Sequence, residues 1–301
     1  MSIRKNARAL AAALLLLAGA ALSTPAIARA PEPARPALWL VQDADTRIYL
    51  FGTIHVLKPG IDWFNGPVRR AFDGADELVT EIVVPDDPQE MAAIMGQKAL
   101  ATDNIRLSDR LEPQARARYQ AAMAANDLPV QVYDLFKPWM VAVTLSLKPL
   151  EKLGYGKDSG AEAVLTRAAK EAGKPHGALE TVAEQIGFFD DLPMEQQVAF
   201  LNATVDDLPR AEADFGRMID SWAKGRPDVL AKEMNESLET TPELADRLLT
   251  QRNARWAQWI KARLDRPGAV FVAVGAGHLA GKGSVQDQIK ALKLRAKRVT
   301  K

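Results

Sequence analysis

The 301-residue sequence has no cysteine, which excludes a disulfide framework, a thiolate nucleophile, a thiolate metal site and a lipid-modified N-terminal Cys. It also lacks a charge excess. With 39 Lys+Arg against 38 Asp+Glu there is no basic surplus to mark a nucleic-acid partner. Histidine is scarce, at three residues. Common hydrolytic signatures are missing too: no His-Glu-x-x-His helix, no Gly-x-Ser-x-Gly elbow and no phosphate-binding Gly-x-x-x-x-Gly-Lys-[Ser/Thr] loop. What remains is a chain with 48% apolar residues, long enough for one large domain or two ordinary ones and able to bury a full core.

The first residues read as an address. Arg4, Lys5 and Arg8 precede an uncharged run from Ala9 to Leu22, broken by Thr24-Pro25 and followed by the small residues of Ala26-Ile27-Ala28. This is the three-part pattern of a secretory signal, with cleavage expected after Ala28 and a periplasmic or secreted destination. A membrane anchor is the competing reading, and 14 uncharged residues are few for a span of about 20. Removal of residues 1–28 leaves 36 Lys+Arg against 38 Asp+Glu, a net −2, and no later stretch reaches 18 uninterrupted apolar residues. No stable membrane span is expected after cleavage. Residues 29–37 form a Pro-rich tail, and 38–301 read as one domain.

Strands are expected at both ends of that domain and helices between them. Leu38 to Val41, the turn Asp43-Ala44-Asp45 and Arg47 to Phe51 predict a hairpin, and Glu77 to Val83 a third strand ending before Pro85. Three-and-four spacing of apolar residues predicts helices over 89–101, 113–125, 135–147 and 160–172, then 181–189, 194–224, 229–238 and 242–264. Lys174 to Glu180 reads as a short strand into a turn. Ala269 to Val274 is a continuous apolar run, the pattern of a strand buried on both faces. Ser284 to Leu294 closes the helices, and Lys297 to Val299 reads as an edge strand. The fold class is α/β: a central mixed sheet built from N- and C-terminal segments, with a large helical insertion.

The chemistry-bearing residues fall where the strands stop. His55 ends one as Gly52-Thr53-Ile54-His55, and His278 ends another as Gly275-Ala276-Gly277-His278. Ligands bind at the carboxyl ends of strands in α/β sheets, and glycine there lets backbone turn or approach closely. Two hydrogen-bonded structural histidines are the plain alternative. Glu81 is placed inside the third strand on the face of Val79 and Val83, so its carboxylate is either paired or on a wet edge. Glu180, just before a helix, is a further candidate or simply an acid favoured by that helix start. His176 reads as structural or exposed. Gly275 to Gly283 superficially suggests a dinucleotide loop, but His278 and the spacing argue against one. With no thiolate, two His and Glu81 suit a divalent transition metal (Mn, Co or Zn) that would activate water.

The stretches Tyr49-Leu50-Phe51-Gly52-Thr53-Ile54-His55, Glu77 to Val83, Ala178-Leu179-Glu180-Thr181 with Glu184-Gln185, Gln251-Arg252-Asn253, and Val272 to Gly281 with Ser284-Val285 together resemble the TraB/PrgY/GumN family. The animal relatives of that family include the Tiki metalloproteases. The resemblance implies a fold shared with erythromycin-esterase-like and ChaN-like proteins, and metal-dependent peptide-bond hydrolysis. It would make His55 and His278 metal ligands, Glu81 a ligand or general base, Glu180 a supporting group or base, and Arg252 an oxyanion or carboxylate clamp. Ala178 replaces the usual glycine of that motif, and Glu162 stands where the family often has Asp. Two functions follow as expectations: a periplasmic metallohydrolase acting on a peptide or protein, or a non-catalytic binding protein for a peptide signal or haem-like ligand.

Overall fold

The computed structural model describes residues 33–85, 87–238 and 245–300. The expected signal segment, residues 29–32 of the tail and the start of the 242–264 helix lie outside the described residues. A hairpin opens the fold: β1 (Leu38–Gln42) pairs antiparallel with β2 (Thr46–Thr53). Asp43 sets the turn, its Oδ1 accepting from the backbone of Asp45 at 3.2 Å and Thr46 at 2.9 Å, a side-chain mimic of a backbone turn. The other strands are β3 (Glu77–Thr80), β4 (His176–Ala178), β5 (Gly268–Gly275) and β6 (Lys297–Arg298).

They form one mixed sheet in the order β4-β3-β5-β2-β1-β6. β4, β3, β5 and β2 run parallel, while β1 and β6 add antiparallel pairings at one edge. β5 therefore lies between segments from the start of the chain, and both of its faces are covered. Phe271 and Ala273 pack on one side with Phe51, Leu78, Phe72 and Leu165. Val270, Val272 and Val274 face the other, against Val79, Trp256 and Ile260. This is why the run reads as continuously apolar rather than alternating. Each large side chain so buried contributes about 1.5–3 kcal/mol relative to exposure. The helical insertion has its own core around Leu107, Tyr119, Met123, Val141, Leu145 and Leu201.

Several elements depart from expectation. β3 ends at Thr80, so Glu81 lies just beyond the strand rather than inside it. The Glu81 carboxylate itself accepts from the Gly275 N–H at 2.7 Å, the donor nearest the end of β5, and the β3–β5 ladder goes no further than Thr80 and Ala273. Val79 is buried while Val83 is 41% exposed, so the proposed common face does not exist. The helix expected over 135–147 runs Pro138–Lys152, because Lys137 before a proline stays extended and Pro138 opens the first turn. The expected 194–224 helix is two, Met194–Asp207 and Ala211–Ala223, joined by a 3₁₀ turn at Leu208–Arg210 where Pro209 lacks a donor. A π-helical turn, Asp246–Thr250, precedes the helix Gln251–Arg263.

Candidate active site

Register brings the two Gly-x-x-His segments together. β2 and β5 are parallel neighbours with Thr53 opposite Gly275, so both chains leave the sheet side by side, toward His55 and His278. β3 pairs with β5 on its other side and delivers Glu81 to the same edge. Gly275 is the floor between them. A Cβ there would lie 3.1 Å from Glu81 Oε1, 3.6 Å from His278 Cδ2 and 3.7 Å from His55 Nε2. Gly160 allows the second close approach: a side chain at this position would collide with the His55 carbonyl. The adjacent Ala161 N–H donates to the Ile54 carbonyl at 2.9 Å, which seats the helix Ala161–Glu171 against the His55 loop.

That helix supplies Glu162. Its Oε1 lies 2.6 Å from His55 Nδ1 and also accepts the Thr53 hydroxyl. The His55 side chain is 68% exposed, with Nδ1 anchored and Nε2 toward the Gly275 floor. The Glu162 carboxylate, through its charge and its hydrogen bond, raises His55 to about 9.

His278 is the opposite case. It is buried, and its Nδ1 lies 2.7 Å from Asn253 Oδ1 while Nε2 lies 3.0 Å from Arg252 Nη1. An amide oxygen only accepts and a guanidinium only donates, so the ring is neutral with its proton on Nδ1. Burial pushes its pKa down to about 3, with Glu81 opposing and Arg252 and His55 assisting. Trp256 packs on the ring at a centroid distance of 4.3 Å.

Arg252, 5% exposed, is the hub. Nε donates to Glu180 at 3.0 Å; Nη1 donates to the Leu248 carbonyl and to His278 Nε2, each at 3.0 Å. Nη2 donates to Glu81 Oε2 at 2.6 Å and to Glu180 Oε2 at 2.8 Å. The carbonyl of Leu248 comes from the π-helical turn. All five guanidinium N–H groups are thereby engaged. Glu180 is likewise filled, also accepting from Arg255 Nη2 at 3.1 Å and Trp256 Nε1 at 3.2 Å. Glu81, 8% exposed, accepts further from Gln185 Nε2 at 2.7 Å. Burial opposes its charge, but His278, Arg252 and His55 outweigh burial and hold the carboxyl at about 2.

The family model for TraB/PrgY/gumN matches residues 37–298. The chain belongs to the TraB/PrgY/gumN family. It is 24% identical over 259 residues to the uncharacterized protein YbaP of Escherichia coli (strain K12), covering 85% of this chain and 92% of that one. An uncharacterized protein of Treponema pallidum (strain Nichols) is 23% identical over 273 residues, covering 85% of this chain and 80% of the relative. No solved structure matches.

For this family member, the donors named from sequence are right in kind for a divalent metal: two imidazoles and a carboxylate. Both rings also have Nδ1 anchored by an outer partner, as metal-ligating histidines do. As they stand, these donors are not free for one: the His278 Nε2 lone pair and Glu81 Oε2 are both engaged by Arg252. Among the described residues no group of three His, Asp or Glu is placed to hold a metal ion.

All the candidates His55, Glu81, Glu180, Arg252 and His278 meet at this edge. The clamp and base roles carried over for Arg252 and Glu180 find no free hydrogen-bonding group. His176 stands apart, with Nε2 2.7 Å from the Thr80 hydroxyl, in a structural position. Sequence reasoning gave no site role to Glu162, Gln185 or Asn253. Asn253 follows Arg252 directly and Gln185 stands beside Glu184, so the quoted motifs contained both. Glu162 was visible only as a departure from the family's Asp.

Proposed function

We propose that this protein is a hydrolase in which His55 is the general base for attack of water on a carbonyl carbon. The observation that carries it is the geometry of His55. It is the exposed member of an otherwise closed polar network, fixed through Nδ1 by Glu162, with Nε2 directed over Gly275 beside Glu81. A carboxylate behind an imidazole sets the tautomer and stabilises the imidazolium that forms when Nε2 takes the proton; with His55 held at about 9, the neutral base form and the turnover it supports rise toward alkaline pH. Glu81 is too acidic and too fully hydrogen-bonded to serve as base. With Arg252, it supplies a fixed charge that orders the floor under the reacting groups.

A peptide or protein is the proposed substrate, following the resemblance to peptide-cleaving Tiki relatives, and the periplasm or exterior the proposed location, following residues 1–28. Incubation with a peptide library, with and without chelator, tests the reading. Cleavage that persists in chelator and falls about 10²–10⁴-fold in His55→Ala is the expected result. Cleavage that requires added Mn, Co or Zn, with about one metal per chain by elemental analysis, would instead restore the metal-bound water.

A second reading, a non-catalytic binder, is favoured by the saturation of Arg252 and Glu180. It would show as ligand affinity changed by His55→Ala with no turnover in wild type.

A further inference from the structure

A second cleft lies at the β1–β6 edge of the sheet, lined by none of the residues of the His55 site. It encloses about 470 Å³, within the range of small-molecule pockets. Leu38 and Trp63 form an apolar floor, and Arg35, Arg70, Lys224 and Arg298 stand around it; no acidic side chain lines it. These cations come from four separate segments of the chain.

Its walls are set by backbone hydrogen bonds. The Ala34 N–H donates to the Asp62 carbonyl at 2.8 Å, and the Arg35 N–H to the Ala223 carbonyl at 2.7 Å. Arg298 is also fixed, donating to the Gly225 carbonyl at 3.0 Å and stacking over Trp39 at 5.1 Å from the ring centre. Lys224 is paired with Asp220 at 2.6 Å. Arg35 and Arg70 have no ion pair among the described residues, so two guanidinium forks stay uncommitted beside an already cationic wall.

We propose that this cleft binds a ligand carrying a phosphate group, with its less polar part against Leu38 and Trp63. Guanidinium forks match phosphate oxygens bidentately, and a lining that carries cations but no carboxylate, with the neighbouring Asp220 already taken by Lys224, favours a multiply charged anion. The same chemistry is offered by a free phosphate compound and by an anionic lipid headgroup.

Calorimetric titration with pyrophosphate and co-sedimentation with phosphatidylglycerol vesicles, against phosphatidylcholine controls, separate the two sources. Saturable binding is expected, weakened at least about tenfold by the Arg35→Ala/Arg70→Ala double substitution and by raised salt. His55→Ala should bind as wild type does. Binding to vesicles alone supports the proposal with the phosphate on a headgroup. Absence of binding to both probes, unchanged binding in the double variant, or loss of binding in His55→Ala overturns it.

Discussion

His55 Nδ1 sits 2.6 Å from Glu162 Oε1, an exposed imidazole held by a carboxylate from a helix distant in sequence. The pair accounts for the elevated proton affinity of His55, and removing it has a defined consequence. Glu162→Gln should lower the His55 pKa from about 9 toward the ordinary 6.5. The base form would then be reached at lower pH, and the rising limb of the activity profile should shift the same way. Titration of the His55 ring by proton NMR checks this directly. An unmoved pKa in Glu162→Gln would separate the two residues functionally.

How much of this was legible in the sequence depends on the distance over which each feature is determined. β2 and β5 were readable because their apolar runs end in glycine, and parallel pairing of those ends makes two weak Gly-x-x-His patterns one site. Glu81 was found as an acid out of place, though its strand ends earlier because its own side chain takes the Gly275 N–H. The role of Glu162 was hidden. It depends on Gly160 meeting the His55 carbonyl, a contact without periodicity or motif. Arg252 shows the opposite limit: its presence was evident, but whether its donors were free depends on Glu81, Glu180 and His278, brought from elsewhere in the chain.

That saturation predicts a structural penalty. Arg252→Met would leave Glu81 and Glu180 buried without their shared cation, and loss of one partner from a buried ionic network costs about 3–5 kcal/mol. Arg252→Lys should recover only part of it, since one ammonium cannot reproduce donation to Glu81, Glu180, His278 and Leu248. Urea unfolding of the three proteins provides the measurement. Equal stability of wild type and Arg252→Met would show that the network contributes nothing net.

Acid should loosen the same network. His278 keeps its neutral form in the fold down to about pH 3, whereas in the unfolded chain it takes a proton below about 6.5. The unfolded state therefore binds more protons across that window, and stability falls as pH drops through it. Glu81, lowered to about 2 from 4.5, adds a loss of the same sign at more acid pH. His278→Gln, which has no titrating group, should show a shallower fall between about pH 6.5 and 5, above the carboxylate range. Denaturation midpoints across that interval test it, and identical slopes would assign the acid sensitivity elsewhere.

Gly275→Ala separates steric from conformational effects. Gly275 has φ −49°, which any L-residue adopts, so the substitution brings no backbone strain. The new methyl would lie 3.1 Å from Glu81 Oε1 and 3.7 Å from His55 Nε2, close enough to push the carboxylate from its amide donor and narrow the space beneath the imidazole. Because the proposed reaction depends on that floor, turnover should fall by about tenfold or more, as sub-ångström displacement of reacting groups commonly causes. Stability should change far less than in Arg252→Met. Kinetics on the cleaved peptide and urea unfolding of the same preparation decide the point: undiminished turnover with the methyl in place would put the reacting carbonyl somewhere other than above Gly275.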